Sequence, residues 1–568
     1  MSAMAERSAD LVILGGGAAG MTAAAVAAAE GLKPLIVEKT DTVGGTASIS
    51  GGMVWIPGNT LMAAAGKPDT DEAARVYLDA AVPTDDGLEM RQRFLAAGPE
   101  AIDYLQRHTA VRLKPVTFYP DYYPALDGST TGGRVLEPVP FDASVLGRRF
   151  PLLRPPMPEF MLLGGMMVGR EDIPHFRKMK QRPASFLRVA ELVAQYGWQR
   201  LRHHRGTRLV LGNALAGQLL ASLLARDVPI LTGHAVKELS RSKDRVSGVV
   251  VEGPDGRFRI GAHVGVMLAT GGFSHDPEMR RRFLPAETAM ESPFAPGSTG
   301  DGLRLGESAG GRIEDGNTNN AFWTPASVYR RADGRTVVYP HTVTDRGKPG
   351  SLVVNAAGRR FTNEAVSYHE FGQAMFRAHN EGPSIPAHMI CDREFLWTYG
   401  LGAILPFTRN LQPYKDAGYL TEAHSLTELA MALGIDGDGL TSTVATFNAD
   451  AEAGKDSQFS RGADTYGRYL GDLDHGPNPC LGQLRSPPYY AIQLVPSDLG
   501  TVAGLRTDAD ARVLDGNGAP IPGLYAAGND MRSIMCGRYP APGITLGPAL
   551  TFGYLAARHA ARARGGST

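Results

Sequence analysis

The chain has 568 residues, too many for a single hydrophobic core, so two or more domains are expected. Its 58 basic and 58 acidic side chains cancel, which removes any compositional case for a nucleic-acid partner. Cys391, Cys480 and Cys536 lack metal or disulfide spacing, the start carries no signal-peptide pattern and no apolar run is long enough to span a membrane, so a cytoplasmic globular protein is expected.

From the N-terminus, DLVILGGGAAGMTAAAVAAAEGLKPLIVEKT predicts strand, tight turn, helix and strand. Leu11 to Leu14 is a continuous apolar run, as in a buried parallel strand. Gly15, Gly17 and Gly20 form GxGxxG, and the alanine-rich stretch Met21 to Ala29 is a strong helix former. Free N–H groups at the start of this helix, around Ala18 and Ala19, would hold a pyrophosphate. The second strand ends at Glu38, next to Lys39, where a carboxylate can accept hydrogen bonds from ribose hydroxyls. The glycines alone say little; strand, glycines, helix, strand and terminal acid together predict a dinucleotide site. A band of small residues follows: Gly44, Gly45, Thr46, Ser48, Ser50, Gly51 and Gly52. It would let backbone lie flat against a large planar ring. The band contains no histidine, so a flavin there is expected to be held non-covalently.

Residues 158–208 differ in character. PEFMLLGGMMV is apolar and methionine-rich, and 175–208 is dense in lysine and arginine with a single acid. Phe186, Val189, Val193 and Tyr196 recur there at helical spacing. Such a helix suits an anionic membrane surface, a subunit interface or a solvated face with a core-facing stripe. Next, GPDGRFRIGAHVGVMLATGG predicts a hairpin whose second strand ends in Ala269, Thr270, Gly271 and Gly272. STGDG (298–302), with Asp301, is a further close-approach loop, and AFWTP (321–325) offers an apolar wall for a ring. SLTELAMALGI (425–435) reads as an ordinary helix with a serine cap. IPGLYAAGND (521–530) is a strand closing on Gly528 and Asn529. CGRYPAPGITLGPAL (536–550) then fixes Tyr539 and Gly543 across two prolines and starts the last helix at about Thr545 and Leu546. Distant segments that each end in glycine suit FAD, a long cofactor threaded through the fold.

The fingerprint with GGTA, the ATGG strand and GLYAAGN resemble the fumarate reductase and succinate dehydrogenase flavoprotein superfamily. YPDYYP (119–124), RRFTNEAVSYHEFGQAM (359–375) and GRYPAPGITLGPALTFGYLAA (537–557) resemble, more narrowly, the 3-ketosteroid Δ1-dehydrogenases, over nearly the whole chain. The resemblance implies an α/β fold, with a Rossmann-like (GR2-type) FAD-binding domain over 1–320 and 487–568 and an inserted α+β catalytic domain over 321–486. It adds a cofactor contact at Val236. Residues 150–210 look like extra length beside shorter family members. The family's active-site residues fall on Tyr122, Tyr368, Tyr539 and Gly543, although Tyr123 could replace Tyr122 because neighbours on a strand face opposite ways.

The implied reaction introduces a C1–C2 double bond into the A-ring of a 3-ketosteroid. A C–H beside a ketone loses its proton only if the enolate is stabilised, which the Tyr539 hydroxyl and the Gly543 N–H would do. Tyr368, helped by Tyr122, would take the proton, and a hydride would leave to flavin N5. A quinone or artificial dye would accept the electrons, and a lipophilic substrate would suit membrane contact through 158–208. Competing readings are desaturation of smaller cyclic ketones, reduction of an activated C=C bond as in fumarate or urocanate reductases, and a flavoprotein electron carrier. His275, His369 and Cys536 are read as structural, and Arg538, beside Tyr539, as an exposed or phosphate-facing arginine rather than an acid.

Overall fold

The computed structural model describes residues 6–254 and 256–565. Its framework is an eight-stranded sheet. Parallel strands Pro34–Val37, Glu6–Leu14 and Gly256–Leu268 form the centre, with Ile230–Leu231 outside the first and Pro520–Ala526 beside the last. Arg245–Gly253 and Ala235–Ser242 continue it antiparallel, so the expected hairpin exists and ends at Leu268, just before the ATGG loop. The central stretches Leu11–Leu14 and Pro34–Val37 are apolar and buried throughout, as parallel strands covered on both faces are. Helix Ala18–Ala29 packs against both the closing helix Leu546–Gly565 and helix Leu211–Leu224. Its residues from Ala18 to Val26 are all buried, which explains small side chains on every face rather than an amphipathic stripe.

A second, six-stranded sheet runs Thr336–Pro340, Ala321–Arg330, Tyr489–Thr501, Ala387–Asp392, Ser351–Val354, with Thr421–Ala423 also paired to Tyr489–Thr501. The division expected at 487 is therefore not a boundary of this sheet. Tyr489–Thr501 is its central strand, and the chain rejoins the first sheet at Arg512–Leu514. Helix Tyr368–Glu381 lies on Ala321–Arg330. The serine-capped helix is Leu426–Leu433, with Ser425 accepting from the Glu428 N–H.

The extra segment contains a hairpin, Met161–Leu162 with Met166–Met167, and helices Ile173–Lys178 and Pro183–Arg200. Its expected stripe is divided. Val189 and Tyr196 are buried with Leu192, whereas Phe186 and Val193 are 57% and 39% exposed. The helix thus has an inner apolar face and an outer one. Among the described residues no helix is long and apolar enough to cross a membrane.

Candidate active site

The tyrosine-bearing segments meet beside the N-terminal end of the closing helix. Pro540 organises the meeting: its carbonyl accepts the Tyr122 N–H at 2.8 Å and the Tyr77 hydroxyl at 2.5 Å. The turn that carries Tyr539 therefore also holds Tyr122. Buried Asp121 fixes the other side of the loop, accepting from Trp55 Nε1 (3.0 Å), the Thr130 N–H (3.0 Å) and Arg134 (2.9 Å). Tyr368 is the first residue of its helix, which Ser367 caps.

The rings of Tyr122, Tyr368 and Tyr539 form a triangle. Tyr122 and Tyr539 are near-parallel at 5.7 Å, and Tyr368 stands edge-on at 5.6 Å from Tyr122 and 5.1 Å from Tyr539. Phe322 closes one side at 4.9 Å from Tyr539. Tyr123 lies outside the triangle, with its hydroxyl donating to Glu370 at 2.8 Å. Gly543 has φ +94°, and a side chain there would meet the Met53 carbonyl oxygen at 2.6 Å, so only glycine fits. Its carbonyl holds the Trp55 and Gly547 N–H groups, while its own N–H is bonded to no described residue.

Burial pushes the Tyr122 and Tyr368 phenols well up and raises Tyr539 to about 12. At neutral pH Tyr539 is therefore a hydrogen-bond donor. The Tyr122 hydroxyl sits beside Tyr119, Tyr368 and Tyr466, yet it is buried with no hydrogen-bond partner among the described residues; the Tyr466 hydroxyl shares that condition. Unsatisfied buried hydroxyls are costly and mark a place where a polar ligand atom or a shared proton belongs. His369, whose ring lies 5.8 Å from that of Tyr539, accepts the Trp323 N–H on Nδ1 and donates from Nε2 to the Gly537 carbonyl. Burial lowers it to about 3, so it is neutral, and both nitrogens are used structurally. His275 likewise bonds the Phe294 carbonyl.

The expected cofactor residues converge on one groove. Gly15 packs its backbone on Ala269, Gly45 approaches Gly17 and Gly528 approaches Ala19. A side chain added at Gly17 or Gly51 would meet nothing within 4 Å, and no side chain caps the helix that begins at Ala18. That open cradle with free N–H groups fits a pyrophosphate. Gly20, Gly44 and Gly52 instead serve internal packing, against the Gly15 carbonyl, Ser48 and Gly212 respectively. Thr46 accepts the Ala295 N–H, and the Ser50 carbonyl accepts that of Gly212. Glu38 holds the Gly16 and Thr40 N–H groups, and Lys39 pairs with Asp301 at 2.7 Å. Val236 is the second residue of edge strand Ala235–Ser242, two residues after His234, whose N–H bonds the Glu38 carbonyl. At the other end a cavity is lined by Phe322, Gly528, Asn529, Ile544 and Thr545, and Leu546 opens the closing helix beside it. Asp530, absent from the sequence reading, ties the groove together: buried, it accepts from the Thr270 and Gly272 N–H groups at 2.5 and 2.9 Å. Gly271 lies against Ser298. For Asp530 the only signal in the sequence is the glycine two residues before it, in GND.

This groove and its fold define a flavoprotein: the FAD-binding-domain family model matches residues 10–546, and the chain belongs to that family. Within it the chain is 38% identical to the 4-oxocyclohex-2-ene-1-carboxylate 5-dehydrogenase of Sinomonas cyclohexanicum, over 97% of this chain and 94% of that protein. It is also 38% identical to the 3-oxosteroid 1-dehydrogenase of Mycobacterium tuberculosis (strain ATCC 25618 / H37Rv), over 97% and 98%. The crystal structure of the 3-ketosteroid Δ1-dehydrogenase from Sterolibacterium denitrificans, in complex with 1,4-androstadiene-3,17-dione, superposes with a TM-score of 0.90 at 36% identity, covering 98% of this chain and all of that one.

Proposed function

We propose that the protein is an FAD-dependent 3-oxosteroid 1-dehydrogenase, in which the six-stranded sheet and its helices form a catalytic unit inserted into the cofactor domain. The observation that carries the reading is the buried triangle of Tyr122, Tyr368 and Tyr539 beside the unbonded N–H of Gly543. The ketone oxygen of the substrate accepts from Tyr539 and Gly543, which stabilise negative charge as it develops there. Tyr368 takes the proton from the adjacent carbon, and Tyr122 supports it as a hydrogen-bond partner. FAD, held by the glycine groove, supplies the acceptor for the second hydrogen and its electron pair. A quinone or artificial dye then takes the electrons.

The extra segment is proposed to rest on an anionic membrane that supplies the lipophilic substrate. Among the described residues, eight of the fourteen exposed large apolar ones lie between Val145 and Leu201, including Leu187 (66%), Trp198 (60%) and Leu201 (80%). They alternate with arginines and lysines, the pattern of a surface-lying helix.

A smaller ring ketone is the second reading, because one equally similar relative is named for such a substrate. Dye-coupled turnover with product identification separates the two. Androst-4-ene-3,17-dione should give the 1,4-diene, with turnover lost in Tyr368→Phe. Faster turnover of 4-oxocyclohexanecarboxylate would replace the substrate, and turnover of neither would overturn the reading.

A further inference from the structure

The rings of Tyr122, Tyr368 and Tyr539 are only 4–6% exposed, so a ring ketone reaches them only when part of the surrounding wall moves aside. One wall is helix Thr465–Leu470. It sets the Tyr466 ring 4.6 Å from that of Tyr122 and the Tyr469 ring 4.5 Å from that of Tyr119. Phe118, 39% exposed, stands edge-on to Tyr469 at 5.6 Å, so this wall runs from the tyrosine cluster out to the surface. Lys348 donates to the Leu470 and Gly471 carbonyls, each at 2.7 Å, and ties down the end of the helix. Residues 472–474 follow, with Leu473 66% exposed between two aspartates.

Those aspartates are held by the extra segment. Arg177 and Lys178, the last residues of helix Ile173–Lys178, pair with Asp472 and Asp474. The Arg177 guanidinium also lies over the Tyr399 ring at 5.0 Å, and the Tyr399 hydroxyl donates to Asp472 at 2.8 Å. The segment itself is firmly built. At its start, Val43 makes 2.9 Å backbone bonds to Leu152 and Arg154; at its end, Arg208–Leu209 pairs with Phe141–Asp142. Buried Asp172 holds Arg188 and Arg208 together. Buried Glu159 pairs with Arg331, and the Phe160 ring packs on Tyr339 at 5.4 Å, so this contact with the second sheet has apolar backing. Helix Ile173–Lys178 has none, for it buries not one of its residues. Its bonds to 472–474 are two ion pairs, and partly exposed ion pairs are weak, salt-sensitive and easily broken. This contact can open without exposing a core.

We propose that helix Ile173–Lys178 is a latch on the substrate entrance. While Arg177 and Lys178 hold Asp472 and Asp474, the helix carrying Tyr466 and Tyr469 stays closed over the tyrosine cluster. When they let go, it yields a path for the ring ketone beside Phe118. The inference rests on the dehydrogenase reading above for the identity of what enters. The latch takes no part in the chemistry; it sets how fast a bulky substrate comes and goes. A four-ring steroid needs a wider opening than a single ring, so the latch discriminates by size.

The test uses the holoenzyme of wild type, Arg177→Ala/Lys178→Ala, Lys178→Ala alone and the exchanged pair Lys178→Asp/Asp474→Lys. Two readouts are taken: amide hydrogen exchange over 465–474 without substrate, and the second-order rate of anaerobic flavin bleaching by androst-4-ene-3,17-dione or by cyclohexanone. In Arg177→Ala/Lys178→Ala, exchange over 465–474 should quicken about fivefold, the size expected from losing two partly exposed pairs, while exchange over 537–547 stays unchanged. Bleaching by the steroid should quicken by a similar factor and bleaching by cyclohexanone far less. Added salt should speed the steroid reaction in wild type but not in the double variant; the steroid is uncharged, so salt does not act on it through steering. The exchanged pair should restore most of the wild-type behaviour. Should the double variant fold poorly, Lys178→Ala, which breaks only the outer pair, decides by moving both readouts in the same direction. Unchanged exchange in the variants would overturn the proposal, and so would faster exchange with steroid bleaching unmoved. If no ketone bleaches wild type, the dehydrogenase reading fails; the exchange comparison, which needs no substrate, still upholds or refutes the latch.

Discussion

Tyr539 and Gly543 can serve one oxygen atom because Pro540 and Pro542 remove the freedom of the chain between them. Tyr539→Phe should therefore lower kcat by about 10²–10³ while leaving bound flavin unchanged, as steady-state kinetics and flavin absorbance would record. Gly543→Ala should act differently, displacing Met53 and lowering both activity and the melting temperature. His369 gives a pH prediction. Folded, it stays neutral down to about 3; unfolded, it takes a proton near 6.5. Its contribution is complete above pH of about 6.5 and is lost as pH falls toward 3, with a slope approaching 1.4 kcal/mol per pH unit. Urea titrations of His369→Gln across that window should show a flatter acid limb; an unchanged slope would assign the acid sensitivity to other groups. The four candidate catalytic residues were legible because each sits in a dense local motif. Asp530 was not, since it acquires meaning only from the Thr270 and Gly272 N–H groups, far away in sequence.

The first helix shows how one glycine differs from its neighbour. Gly15 has φ +101°, and a side chain there would meet the Ala269 carbonyl oxygen at 2.2 Å, so alanine should disrupt the sheet. Gly17 has an ordinary φ of −80° and open space around it. Gly17→Ala should fold normally, by circular dichroism, yet be purified with little flavin. Retention of a full complement would place the pyrophosphate elsewhere. This strand–helix–strand unit was readable within a few residues because its periodicity and glycines are local signals. The second sheet was less so: Tyr489–Thr501 pairs with Ala321–Arg330, more than 160 residues earlier in the chain. On helix Pro183–Arg200 the spacing of apolar residues was clear, but spacing alone cannot say which side faces the body, so the stripe was left open between core, interface and membrane; Val189 and Tyr196 join the core, and Phe186 and Val193 do not.

At the scale of the whole molecule, the glycine groove is built on the first sheet and Tyr368 comes from the helix on the second, while the apolar and basic segment exposes Phe186, Leu187, Trp198 and Leu201. Flotation with vesicles of anionic phospholipid should carry the protein, less so at high salt and less in Trp198→Asp or Leu201→Asp, with turnover of a water-soluble ketone unchanged. Equal flotation of wild type and variants would remove this face from membrane contact. The account as a whole turns on one chemical act, removal of two hydrogens from a ring ketone. Anaerobic mixing of the holoenzyme with androst-4-ene-3,17-dione measures it most directly. The account predicts bleaching of the flavin in step with one equivalent of the 1,4-diene, and no bleaching in Tyr539→Phe on the same timescale. Flavin that stays oxidised with every ring ketone, but passes electrons to an activated alkene once reduced, would contradict it.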